Sequence, residues 1–102
     1  MFYKNDKQEA AFYFKKAADL GGINSMYRYG LMLLNGTGID VNKEEAAKYL
    51  KKSADENVIV AMHQYGLMLF DGNGIEVNKE EAAKYFKKAA DLGNVDSFKK
   101  YS

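Results

Sequence analysis

The chain has no cysteine among its 102 residues, so neither disulfide bonding nor thiolate chemistry is open to it, and cysteine usage says nothing of its redox compartment. It also lacks an excess of charge. Lys and Arg number 15 against 14 Asp and Glu, which leaves no net field to gather nucleic acid or anionic lipid. No apolar run approaches the roughly 18 residues of a membrane-spanning helix, and Met1 to Asn5 lacks the hydrophobic stretch of a secretion signal; cytoplasmic residence is the default expectation. Histidine is limited to His63, and a histidine base needs a nucleophile or an orienting acid in fixed geometry. Serine and threonine hydroxyls come only from Ser25, Ser53, Ser97, Ser102 and Thr37. These shortages point away from an enzyme and imply no catalytic residue, no metal ligand set and no cofactor. What the chain does have, 47% apolar and 28% charged residues, belongs to a soluble globular protein.

It also has a repeat. Asn42 to Asp55 (NKEEAAKYLKKSAD) returns as Asn78 to Asp91 (NKEEAAKYFKKAAD), 12 of 14 positions identical at a shift of 36. A period of that length means stacked supersecondary units, which bury a continuous core only when about three are present. The same register extends back to Asp6 through Asp19. Asp6, Asn42 and Asn78 are each followed three residues later by Glu9, Glu45 and Glu81, the pattern of a capping box at a helix start. Within the segments Ala10, Tyr13, Phe14 and Ala17, and then Ala46, Tyr49, Leu50 and Ser53, recur at helical spacing and predict one apolar face. Glu44 before Lys48 and Glu80 before Lys84 predict ion pairs on the opposite, solvated face. Gly21, Asn57 and Gly93 stand where a left-handed residue ends a helix.

A second type of helix lies between these, Ile23 to Leu34 returning as Ile59 to Phe70. Gly30 and Gly66 interrupt its apolar stripe although glycine costs about 1 kcal/mol against alanine there; a neighbouring helix is expected to pass too close for a side chain. Gly36-Thr-Gly38-Ile39 and Gly72-Asn-Gly74-Ile75 then close each unit with a tight reversal. These glycine pairs follow a helix and not a strand, which removes the context of a phosphate-binding loop. Asp71-Gly-Asn73-Gly74 has part of a calcium-loop pattern. Leu69 and Val77 occupy two of its ligand positions, so the oxygens fall short of calcium's six to eight, and a structural turn is the favoured reading.

The run Tyr29-Gly-Leu-Met-Leu-Leu-Asn-Gly-Thr-Gly-Ile39, the segment Asn42 to Asp55 and Ala-Ala-Asp-Leu-Gly-Asn at 89 to 94 together resemble Sel1-like repeats, relatives of the tetratricopeptide repeat. Tyr29 and Tyr65 depart from the leucine more usual before that glycine. The resemblance implies an all-α fold, a right-handed αα-superhelix (solenoid) of helix-turn-helix repeats, used as an adaptor or scaffold for protein partners. Residues 1–102 then form one array: a partial first repeat at 6–22, repeats at 23–57 and 58–93, and the start of a further one at 94–102. Some relatives have been associated with antibiotic-binding or hydrolytic activity, but those are cysteine-rich, which weakens the transfer to this chain.

Positions where the copies disagree are those that packing leaves free. They include Asn24/Val60/Asp96, Tyr27/His63/Lys99 and Arg28/Gln64/Lys100, all on the second-type helix. If that helix lines the concave surface, as the resemblance implies, the face carries Asn24, Tyr27, Leu31, Leu34, Val60, His63, Leu67, Phe70, Asp96 and Lys99, a mixture of apolar anchors and polar groups on which a peptide or helix can dock. Leu31, Leu34, Leu67 and Phe70 equally suit a core between repeats. Phe12, where later copies have Lys48 and Lys84, suits either a local cap against Phe2 or Tyr3 or a face turned to another repeat. The alternative function is structural, with the array self-associating through its ends. No nucleic-acid or membrane partner is expected.

Overall fold

Two kinds of helix alternate along the chain because two kinds of segment do. The computed structural model describes residues 6–93, and these form five α-helices and no strand. First-type segments give α1 (Asp6–Asp19), α3 (Lys43–Asp55) and α5 (Lys79–Gly93); second-type segments give α2 (Ile23–Asn35) and α4 (Ile59–Asp71). Each helix packs chiefly on its neighbours in the chain, α2 more extensively on α3 than on α1, and α4 more on α5 than on α3. Neighbour-only packing is the mark of an all-α solenoid.

The glycines inside the second-type helices set that closeness. A Cβ added at Gly30 would lie 2.8 Å from Leu50 Cγ, and one at Gly66 2.7 Å from Phe86 Cε1. Around Gly30, Tyr29, Leu33, Ala46 and Ala11 form one core cluster. Leu50, Ala54, Met62, Tyr65, Met68, Ala82 and Tyr85 belong to a second cluster between α3, α4 and α5.

The helix starts are half of what the capping pattern predicts. Asn42 Oδ1 accepts from the Glu45 amide at 3.1 Å and Asn78 Oδ1 from the Glu81 amide at 3.0 Å. The reciprocal bond is not made, because the Asn42 and Asn78 amides donate instead to the carbonyls of Leu33 and Leu69, both at 2.8 Å. α1 is described from Asp6 onward, with Asp6 already helical. At the helix ends Gly21 and Asn57 take the left-handed backbone, with φ of 104° and 70°. Gly93 does not. It is the last residue of α5, and a Cβ there would sit 3.2 Å from Ile59 side-chain carbons, so close approach of α4 is its role. The second glycine of each reversal bears on the preceding first-type helix: Gly38 on the backbone of Lys7, Gly74 on Lys43.

Ion pairing also differs from the sequence pattern. Among the described residues the four-residue pairs are Lys15–Asp19, Lys51–Asp55 and Lys87–Asp91, at 2.9, 3.0 and 3.2 Å; Glu45, not Glu44, approaches Lys48, at 4.0 Å. Lysine ahead of an acid is the weaker helical orientation, but here a second donor holds the acid. Tyr49 Oη donates to Asp19 Oδ1 and Tyr85 Oη to Asp55 Oδ1, both at 2.7 Å across 30 residues. Each tyrosine is in turn set edge-on by a second-type tyrosine, Tyr29 at 5.0 Å and Tyr65 at 5.1 Å between ring centroids. The result is a lysine–aspartate–tyrosine clasp between successive first-type helices. Burial and the bond to the aspartate push both hydroxyls well above the usual phenol range. The Tyr49 hydroxyl and Lys15 hold Asp19 low; burial pushes Asp55 up, but Tyr85 and Lys51 outweigh it and its carboxyl also settles below the ordinary range.

Burial on the first-type helices follows from these seams. α3, flanked on both sides, buries Ala46, Leu50 and Ser53 on one side and Ala47 and Ala54 on the other; the Ser53 hydroxyl donates to the Ile23 carbonyl at 3.2 Å. α1 buries only Ala11 and Ala18, the equivalents of Ala47 and Ala54. α5 buries Ala82, Tyr85 and Ala89, while Ala83 and Ala90 are exposed. The apolar face expected on α1 from Ala10, Tyr13, Phe14 and Ala17 is therefore not its most buried side; Tyr13 is 59% exposed, because no helix among the described residues covers it.

Candidate functional site

The two second-type helices carry the residues expected to meet a partner, and helical spacing aligns them. Positions 24, 27, 31 and 34 fall on one stripe of α2, and 60, 63, 67 and 70 on the matching stripe of α4. Asn24 is exposed, and Tyr27, Leu31 and Leu34 are half-buried. Tyr27 leans on the Leu50–Met62 cluster, and Leu34 touches both clusters. On α4 the stripe is open: Val60, Leu67 and Phe70 are 51%, 39% and 46% exposed, and His63 is exposed. Asp96 and Lys99 lie outside the described residues, as do Phe2 and Tyr3. None of Leu31, Leu34, Leu67 and Phe70 is fully buried.

α4 is thus apolar on both sides. Ala61, Met62, Tyr65, Met68 and Leu69 fill the core while Val60, Leu67 and Phe70 face outward. The sides of this stripe come from α5. The His63 ring lies 5.6 Å from that of Phe86, and Lys79 Nζ stands 5.1 Å from the Phe70 centroid, within cation–π range. The link from Lys79 to Phe70 spans two helices, so no short-range pattern in the sequence announces it. Phe12, 52% exposed, meets Tyr13 edge-on at 5.1 Å with Lys16 Nζ 5.7 Å from its ring centroid.

Two open surface recesses lie elsewhere, among first-type helices. One is lined by Asp19, Met26, Tyr49 and Lys52 among others, the second by Asn42, Lys51, Tyr65 and Ile75 among others. None of the eight expected partner residues that lie among the described residues lines either. Among the described residues no three His, Cys, Asp or Glu side chains cluster as metal ligands do. The calcium-like stretch is a turn, with the Gly72 and Asn73 amides bonded to the Met68 carbonyl. No described helix is long and apolar enough to cross a membrane.

A stack of helix pairs at a 36-residue period, with an apolar stripe on its second-type helices, defines the chain as a helical-repeat solenoid of the tetratricopeptide-related kind. The Sel1 repeat family matches residues 2–22, 23–58 and 59–94. The chain belongs to the Sel1 repeat family. Similar solved structures include a Sel1 repeat protein from Oxalobacter formigenes (TM-score 0.81, 32% identity) and a protective antigen of uropathogenic Escherichia coli strains with an SLR fold (0.83, 34%). A third is cysteine-rich protein B of Helicobacter pylori (0.82, 29%). The matches cover 85%, 87% and 90% of this chain but 36%, 19% and 69% of those proteins, so the chain spans about a third of the first and a fifth of the second. No curated protein matches it.

Proposed function

We propose that this chain is a non-catalytic protein-binding module that takes a peptide or an amphipathic helix along the stripe of α2 and α4. The observation that supports it is the exposure of Val60, Leu67 and Phe70 in line on a helix whose opposite side already fills the core. The part of these side chains left in water contributes nothing to folding, whereas a docked helix would bury it and gain roughly 25 cal/mol for each Å² of apolar area removed from water. Sel1 repeats as a family suggest protein-interaction scaffolds, which agrees with this use. Tyr27 and His63, one repeat position with different side chains, would choose among partners, as would Asn24 and Val60, with Lys99 and Asp96 the next residues in the sequence at those two positions.

Panning a random peptide library against the folded chain and mapping the enriched peptides by amide chemical shifts tests the reading. Shifts are expected along α2 and α4, and Phe70→Ala should weaken binding by about tenfold or more, as a central aromatic anchor does. If Tyr27→Ala, His63→Ala and Phe70→Ala all bind normally while folded, the face is wrongly assigned.

A further inference from the structure

Asparagine stands directly before glycine twice in the chain, at Asn35-Gly36 and Asn73-Gly74. Such a pair is reactive because the glycine nitrogen, with no side chain beside it, can reach the asparagine side-chain carbonyl carbon and close a five-membered ring. The two pairs sit differently. Asn35 is the last residue of α2, and the Gly36 amide donates to the Met32 carbonyl at 2.8 Å, so the attacking nitrogen is tied into the helix end. In the next repeat Gly72 takes the bond to the Met68 carbonyl, and the Asn73 amide shares that carbonyl at 3.0 Å. This places Asn73-Gly74 beyond the helix. The Asn73 side chain is half-buried and Gly74 is exposed, and among the described residues neither the Gly74 amide nor the Asn73 side chain has a hydrogen-bond partner. Thr37 occupies the equivalent position in the preceding repeat. Asp71-Gly72 could close the same ring, but its Gly72 amide is held as the Gly36 amide is.

We propose that Asn73 is a site of spontaneous deamidation and isoaspartate formation, while the end of α2 protects Asn35. Hydroxide takes the Gly74 amide proton, the nitrogen bonds to Asn73 Cγ, the Cγ–Nδ2 bond breaks and the nitrogen of the side chain leaves as ammonia. Water then opens the succinimide. Attack at Cγ restores the ordinary main chain with an aspartate side chain; attack at the main-chain carbonyl carbon gives isoaspartate, whose main chain is longer by a methylene. Either product adds a negative charge to the reversal between α4 and α5. The longer link falls where Gly74 fits against Lys43 too closely to admit a Cβ, so the isoaspartate form displaces the reversal from the start of α3.

Peptide mapping by mass spectrometry of the whole chain, aged in warm, mildly alkaline buffer with and without urea, is the test. In the folded chain Asn73 should convert about tenfold or more faster than Asn35, because the Gly36 amide must first give up its hydrogen bond and its helical place; a tenfold rate difference corresponds to about 1.4 kcal/mol. In urea the two should convert at similar rates. The folded rate at Asn73 should rise with pH, as attack by the amide anion requires. Isoelectric focusing should resolve acidic species that accumulate in wild type and are suppressed in Asn73→Thr, which carries the residue found at the equivalent position of the preceding repeat. Equal rates at the two sites in the folded chain, no conversion of Asn73 in the folded chain over the time that urea converts it, or acidic species that form as fast in Asn73→Thr overturn the proposal.

Discussion

Replacing Tyr85 by phenylalanine removes one oxygen from the clasp between α3 and α5 and leaves everything else in place. The ring stays edge-on to Tyr65, only 9% exposed; what is lost is the bond to Asp55 at 2.7 Å. A hydrogen bond to a charged group is worth about 1.5–3 kcal/mol when well shielded. Asp55 is not well shielded, its side chain 47% exposed, so water replaces part of the interaction and about 1 kcal/mol is expected. Tyr85→Ala adds loss of the ring and should cost about 3–5 kcal/mol. Urea denaturation followed by circular dichroism measures both, and a cycle with Asp55→Ala isolates the coupling. A coupling energy within error of zero, or Tyr85→Phe as costly as Tyr85→Ala, would refute the clasp as a source of stability. Tyr49→Phe should cost less than Tyr85→Phe, since the Asp19 bond is the more exposed of the two.

Three further outcomes follow from the same geometry. Asn78→Ala should cost about 1 kcal/mol of stability for the lost cap, whereas Glu81→Gln should change thermal melting little, because the Asn78 amide already serves Leu69; equal losses would contradict the half-made box. Gly38→Ala and Gly74→Ala should both destabilise in urea melts, since both have positive φ and the added Cβ meets atoms that cannot swing away, the Lys7 backbone in one case and Lys43 Cβ in the other; wild-type stability in either would contradict the close approach. For pH, Asp55 has a folded pKa below its unfolded one, so its contribution is present above the ordinary carboxylate value of about 4 and lost as pH falls through the folded value. Tyr85, raised in the fold, contributes fully below about pH 10 and loses that contribution as pH climbs beyond it. Stability–pH profiles of Asp55→Asn and Tyr85→Phe should be flatter than wild type at the acid and alkaline ends respectively.

Much of this fold was legible because the repeat states each constraint twice. Gly30 and Gly66 disclosed a helix crossing too close for a side chain, and Asn42 and Asn78 disclosed their caps. What stayed hidden depends on distances that the period does not display. The clasp joins residues 30 apart in a 36-residue repeat, so sliding the sequence on itself aligns tyrosine with tyrosine and aspartate with aspartate, never one with the other. Tyr49 was legible as apolar-face material, and its hydroxyl was not. Similarly, the reciprocal half of the capping box fails because a backbone carbonyl of the previous helix competes for the same amide, and backbone carbonyls have no sequence signature. Gly93 was misplaced since glycine serves both left-handed turns and close contacts. For the candidate face, the stripe positions on α2 and α4 followed from periodicity, while Lys79 beside Phe70 required knowing how α5 starts against the end of α4.

The clasps also give the array a mechanical character. Each α2–α3 and α4–α5 pair is a stiff hairpin, joined face to face through a glycine, while the clasp reaches over the intervening second-type helix to the next first-type one. Load applied along the stack falls on the clasps together with the α1–α2 and α3–α4 packing that joins one hairpin to the next. Protonating Asp19 and Asp55 takes the acceptor charge from both clasps at once, so acid weakens the polar part of each joint and leaves its apolar packing in place.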